Sequence, residues 1–179
     1  MFSYTNASRV ATDFIAKIAH ACHRTDIVGS LRRQRDFVND IDIIVIPKIT
    51  HTSDETLFGD PVEINLLDAR LNELSADGLI TFETNGPKLK RFHLKARPKV
   101  IPVDLYIATD ETWHVLRLIR TGSRIHNIKL VRRANELHMI LKADGTGLLS
   151  AGGFPIPIQD EIDIFRQLKV PFRLPQERE

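Results

Sequence analysis

Apolar residues return at helical spacing early in the chain. Val10, Phe14, Ile18 and Ala21 share one face and Ser8 stands where a cap belongs, which predicts an amphipathic helix over 7–24. The period then changes. Residues 40–46 are dense in Ile and Val, as in a strand buried within a sheet. Helical spacing comes back over 63–79 through Leu67, Leu71 and Leu74, with Gly78 as the stop. Strands are expected at 80–83 and 89–95, joined by the turn signal Asn85-Gly86-Pro87, and another at 100–108. A helix is expected at 113–120. Thr121-Gly122-Ser123 breaks it, Ser123 is placed to cap a helix running to about residue 141, and Asp144-Gly145 marks a tight turn. A last short helix follows Ile158, with Ile162, Phe165 and Leu168 on one face. The elements do not alternate as in a doubly wound sheet, so the pattern predicts an α+β fold with a mixed β-sheet, and a lobe boundary at Gly122.

Composition narrows this little. A chain of 179 residues can hold one good core or two small lobes, and 42% hydrophobic with 27% charged residues is ordinary for a globular protein. The longest strong apolar run, Ile43 to Ile46, ends at Pro47 and is far too short to span a membrane. No secretion signal is recognisable at the N-terminus, and a lone Cys22 excludes an internal disulfide or a multi-cysteine zinc site. The expectation is a cytoplasmic (or, in a eukaryote, nuclear) monomer without a membrane partner. Net charge is only +2, but its distribution is uneven: Lys88, Lys90, Arg91, Lys95, Arg97 and Lys99 occur without an intervening acid. Such a strip suits a nucleic-acid backbone, and equally a sheet edge guarded by lysine.

Three acids carry candidate chemistry. Asp40 and Asp42 are two apart in a strand, so both point to one face while Ile41, Ile43 and Val45 point to the other. Asp104 lies between Val103 and Leu105 in a second apolar strand. Acids at frayed strand ends are commonly just solvated. Carboxylates inside apolar strands instead need a partner, and hard divalent cations answer both their burial and their mutual repulsion. Upstream, Gly29-Ser30 follows Ile27-Val28, in a turn whose N–H groups and hydroxyl can approach phosphate oxygens, and Arg33 offers a bidentate clamp. His20 and His23, three apart, could in principle share a metal and are set aside as a metal site.

Gly29-Ser30-Leu31-Arg32-Arg33, followed after six residues by Asp40-Ile41-Asp42, resembles the signature of the DNA polymerase X family, the family of DNA polymerase beta. The resemblance continues at Pro102-Val103-Asp104-Leu105, at the junction Thr121-Gly122-Ser123-Arg124-Ile125-His126-Asn127, and at Glu161-Ile162-Asp163-Ile164-Phe165 with the tail from Val170 to Glu179. It implies a nucleotidyltransferase palm over 1–121 and a small α+β thumb over 122–179. It leaves no room for a lyase domain or helix-hairpin-helix fingers, and no phosphoesterase domain is expected.

The resemblance also implies roles. Asp40, Asp42 and Asp104 would be the catalytic acids and hold two Mg²⁺ ions, with Mn²⁺ able to substitute. Gly29, Ser30, Arg33, Asn39, Gly122, Ser123 and Asn127 would contact a deoxynucleoside triphosphate. Primer–template or gapped DNA would be gripped by Lys88, Lys90, Arg91 and Lys95 and, on the thumb, by Lys129, Arg132 and Arg133. The implied function is template-directed DNA synthesis in gap filling or repair; a non-templated nucleotidyltransferase acting on RNA, protein or a small molecule shares the acids and the cradle. Four positions depart from the family's pattern: Ile119 and Arg120 replace the Tyr-Phe pair that faces the sugar, Tyr106 stands where Arg is common, and Asn39 where Gly usually precedes the first Asp.

Overall fold

The computed structural model describes residues 1–52, 62–96 and 99–179. The chain runs through β1 (Phe2–Ser3), α1 (Tyr4–Ile18), a 3-10 turn (Ala19–Ala21), β2 (Cys22–Ile27), α2 (Gly29–Arg32), β3 (Phe37–Val38), β4 (Ile41–Pro47), β5 (Ile49–Thr52) and β6 (Val62–Asn65). It continues with α3 (Leu66–Ala76), β7 (Ile80–Asn85), β8 (Leu89–Ala96), β9 (Lys99–Ile107), α4 (Trp113–Thr121) and α5 (Arg124–Glu136). The small strands β10 (Ile140–Leu141) and β11 (Leu148–Leu149), α6 (Glu161–Gln167) and a 3-10 turn (Pro175–Glu177) close it. This is the expected α+β architecture, with five strands in the order β2-β4-β9-β8-β7. The sheet is mixed: β4 and β9 run parallel, and the other neighbours antiparallel.

One face of the sheet packs on α1 and α3. Ala7, Val10, Ala11, Phe14 and Ile18 of α1 and Leu67, Leu71 and Leu74 of α3 bury against Ile41, Ile43, Val45, Phe92, Val103 and Leu105, with the Phe14 and Phe92 rings 5.3 Å apart. The other face of β4 is covered too, because Ile44 and Ile46 pack with Val28, Tyr106, Ala108, Trp113 and Leu116. Trp113 belongs to this core, with the Arg24 guanidinium 4.3 Å over its ring. Cys22 is buried as well, and burial pushes its thiol up to about 11, so it packs as an inert apolar group. Helix α4 is shared between lobes: Val115, Leu118 and Ile119 join Leu130, Ala134, Leu141, Ile164 and Phe165 in the core of the C-terminal part.

Several boundaries differ from the sequence reading. Helix α1 stops at Ile18, and Cys22–Ile27 forms an edge strand beside β4 instead of a last helical turn. Helix α3 begins only at Leu66, because the Asn65 side chain accepts from the N–H groups of Leu67 and Asp68 and caps it there. Helix α5 ends at Glu136, since His138 adopts a positive φ of 57° and Ile140–Leu141 pairs with β11. Asp160 caps α6, accepting from Asp163 N.

Candidate active site

The acids stand on the sheet face turned away from α1. In register, Asp42 on β4 is the partner of Asp104 on β9, and Asp104 is the partner of Arg91 on β8, so one row crosses three strands. Arg91 grips Asp104 bidentately, Nε to Oδ1 at 2.7 Å and Nη2 to Oδ2 at 2.8 Å. The Tyr106 hydroxyl lies 3.2 Å from Asp104 Oδ2 and 3.3 Å from Asp42 Oδ1. It carries one proton and serves one carboxylate at a time. Burial, then the charges of Asp40 and Asp104, pushes the Asp42 carboxyl up to about 7. Asp40 is raised as well, by burial and by Asp104. Asp104 moves the opposite way, because the hydrogen bonds from Arg91 hold it below the usual carboxylate range.

Beside Asp42 the chain makes its closest approach. Val28 N donates to Asp42 O at 2.9 Å, and Gly29 has a φ of 65°. A Cβ on Gly29 would lie 1.9 Å from Asp42 Oδ2, so only glycine fits. Gly29→Ala is expected to displace the Asp42 carboxylate or the turn and to cost roughly 2 kcal/mol of stability together with most activity. Wild-type melting and turnover would show the contact to be slack. Ser30 Oγ is buried without a partner. Arg33 Nη1 donates to Thr121 O, while its Nε is buried and unpaired. A Cβ on Gly122, which has a φ of 66°, would stand 3.1 Å from Arg33 Nη1, so this junction is tight as well. Ser123 Oγ accepts from His126 N at 3.3 Å and starts α5. Asn127 Nδ2 donates to Ile119 O at 2.7 Å and leaves Oδ1 buried and unpaired.

These groups surround a cleft of about 750 Å³ between the acid-bearing face of the sheet and helices α4 and α5. Gly29, Ser30, Arg33, Asp40, Asp42, Ile119, Arg120, Gly122, Ser123, Asn127 and Arg132 all line it. Asp104 is 8% exposed and sits behind Tyr106 and Arg91. Asn39, expected at the nucleotide, is exposed in the bend before Asp40 and does not line the cleft. The Arg120 guanidinium stacks 4.4 Å over the Tyr106 ring. The sequence marked Tyr106 only as a departure from the family's pattern; its spacing of two from Asp104 puts both on one face, where its hydroxyl meets the acids. Sequence reasoning missed Ile128 and Val131, which present an apolar part of α5 to the cleft.

The basic strip does not form one track. Strand alternation divides it. Lys90 is 4% exposed, forms an ion pair with Asp68 and donates to Asn85 Oδ1, each at 2.7 Å, so its ammonium is not free for DNA. Arg91 is held by Asp104. Lys95 lines a separate hollow with Arg9, Asp13 and Lys17 of α1, Lys88 is exposed at the hairpin, and Arg97 lies outside the described residues. On α5, Arg132 reaches the main cleft, whereas Lys129 and Arg133 line another with Phe165 and Val170 and bond to Glu179 O and Leu168 O. His20 and His23 are both exposed and belong to different elements.

Among the described residues, no three His, Cys, Asp or Glu side chains are gathered closely enough to hold a metal ion. The donor chemistry nevertheless fits a hard divalent cation: Asp42 is crowded by two other carboxylates, and Ser30 Oγ nearby lacks a partner. Asp104, the third acid, has both carboxylate oxygens bonded to Arg91.

Comparison with known proteins agrees with this fold. Residues 116–179 match the DNA polymerase beta thumb model. No curated protein matches the sequence. Two solved structures of Leishmania infantum polymerase beta, a ternary P/T complex and a ternary gap complex, superpose with TM-scores of 0.81 and 0.80. Each is 18% identical and covers 99% of this chain, which spans 76% and 70% of theirs.

Proposed function

We infer that this chain, which has the polymerase beta fold along its length and a polymerase beta thumb at its C-terminal end, is a template-directed DNA polymerase that adds deoxynucleotides to a primer 3′-hydroxyl, with short gaps as its substrate. One observation carries the reading. Gly29, Ser30, Arg33, Asp40 and Asp42 face Gly122, Ser123 and Asn127 across a single cleft large enough for a nucleotide.

Asp40, Asp42 and Asp104 would hold the divalent cations, which when bound supply charge stabilisation for the attacking and leaving oxygens. The chain's own groups do the positioning. The unpaired Ser30 hydroxyl and the N–H groups of the Gly29 turn meet the terminal phosphates, and Arg33 adds two parallel donors beside its bond to Thr121 O. Asn127, its amide anchored on Ile119 O, turns the free Oδ1 toward the nascent pair. The P/T and gap complexes of the Leishmania protein support DNA as the partner.

Primer extension tests this on gapped, recessed and single-stranded primers, each nucleotide offered alone with Mg²⁺. Matched incorporation on gapped and recessed templates is expected. Equal addition to single-stranded primers, whatever the template, would instead identify a non-templated transferase.

Sugar selection belongs to the same cleft. Ile119 is fixed in the thumb core and Arg120 lies on Tyr106, so no bulky ring walls the 2′-position at these two places. The double change Ile119→Tyr and Arg120→Phe should raise the deoxy-to-ribo preference by at least about tenfold, the scale of one added steric contact. Single-turnover incorporation decides, and an unchanged ratio puts the wall elsewhere.

A further inference from the structure

We propose that Arg91 is a positioning residue that stands in for a cation at Asp104, so that a divalent metal reaches the third carboxylate only when Arg91 lets go. This rests on the polymerase reading and concerns how its metal site is filled. The ladder makes the case. Asp42 and Asp104 are direct partners in parallel strands, which forces two carboxylates side by side. Arg91 is the direct partner of Asp104 on the next strand, and both of its hydrogen bonds have good length. The registers are set by backbone hydrogen bonds, so neither backbone can retreat; only side chains can rearrange.

The two members of the pair differ in freedom. The Asp104 side chain is 12% exposed and the Arg91 side chain 46% exposed. Arg91 therefore has solvent to swing into, whereas Asp104 stays within the site. Tyr106 adds a weaker tie from the same face to Asp42 and Asp104. Released by Arg91, the Asp104 oxygens are free to join Asp42. The separation of Lys90 and Arg91 onto opposite faces means that the neighbouring lysine cannot substitute for the guanidinium.

The pair competes with metal, so removing Arg91 should tighten metal binding, which loss of a merely structural contact would not do. Mn²⁺ binding to the whole, nucleotide-free chain, followed by loss of the free-ion electron paramagnetic resonance signal, measures this without any turnover. Arg91→Ala is expected to bind Mn²⁺ roughly three- to tenfold more tightly than wild type, the scale of one half-exposed charge-assisted pair. Arg91→Lys keeps the charge but loses the fork, and should gain less. Lys95→Ala removes a charge from the same strand away from the acids and should change nothing, which separates competition at Asp104 from a general loss of positive charge. Asp42→Asn should lose the site.

Affinity in folded Arg91→Ala that is unchanged or weaker, while Asp42→Asn still loses the ion, overturns the proposal and leaves the polymerase reading standing. The same result together with weakened DNA binding and a flatter salt dependence would return Arg91 to a phosphate contact. Mn²⁺ binding indifferent to Asp42→Asn overturns both.

Discussion

Asp42→Asn is expected to abolish primer extension and, at the same time, to raise the melting temperature of the metal-free protein. The two effects have one cause. Burial and two neighbouring acids hold the Asp42 carboxyl at about 7, against 3.8 ordinarily. Between those values the folded state keeps a proton that the unfolded chain has lost, so stability falls as pH rises from about 4 to about 7 and stays reduced above. Asparagine keeps the size and removes the charge. The gain should be on the order of 2 kcal/mol at pH 8 and should vanish near pH 4, where wild type is protonated as well. Divalent cations should then stabilise wild type and leave the mutant unmoved. Extension should drop by at least about 10³-fold, the several kcal/mol that metal-borne charge stabilisation supplies. Near-normal turnover in the folded mutant would remove Asp42 from the chemistry. Equal melting at pH 8 would show that the acids are not crowded.

The same acids were legible in the sequence because strand β4 leaves little choice. Ile41, Ile43 and Val45 must face α1, so Asp40 and Asp42 must face the other way. Strand β2 was hidden by its composition: His23, Arg24 and Asp26 interrupt any apolar alternation, and an edge strand with one neighbour does not require it. The strip around Lys90 and Arg91 misled for a related reason, since a run of charges in sequence becomes two opposed faces once the chain is extended. The α5 terminus could not be read either, because the turn uses a positive φ at His138 where glycine would have announced it. Least visible of all was Glu161. It appeared only as part of a thumb-like segment, and its partner Arg32 is 129 residues away.

Glu161→Gln is expected to be the most destabilising single change outside the hydrophobic cores. Glu161 is 5% exposed and accepts from three arginines: Arg32 at 3.1 and 2.5 Å, Arg117 at 3.1 Å, and Arg178. Arg178 is fully buried and also donates twice to Arg173 O, while Arg117 reaches Asp26 of β2 at 2.5 Å. Burial alone would raise the Glu161 carboxyl; the hydrogen bond from Arg32 and the charges of Arg178 and Arg32 outweigh it and leave it below its ordinary range. This one carboxylate therefore joins α2, which follows the Gly29 turn, to α4, α6 and the C-terminal tail. Glutamine fills the same space but leaves three cations facing one another, a loss of about 3–5 kcal/mol for a broken buried pair and a fall in melting temperature of about 10 °C at pH 7. The sign with pH is fixed by the depressed carboxyl. Its contribution is present above the unfolded value of 4.5 and is lost as pH falls through the lower folded value, so mutant and wild type should converge in acid. Because Arg32 and Arg33 are adjacent and Arg32 also donates to Thr121 at 2.6 Å, loosening the cluster should raise the KM for nucleotide more than it lowers kcat. Arg178→Met in the Glu161→Gln background should recover part of the stability by removing one unpaired cation. Denaturation of the four proteins completes the cycle. A single mutant within about 1 kcal/mol of wild type would mean that the arginines find water or other acceptors, and that the sheet and the C-terminal part are joined by the α4 core instead.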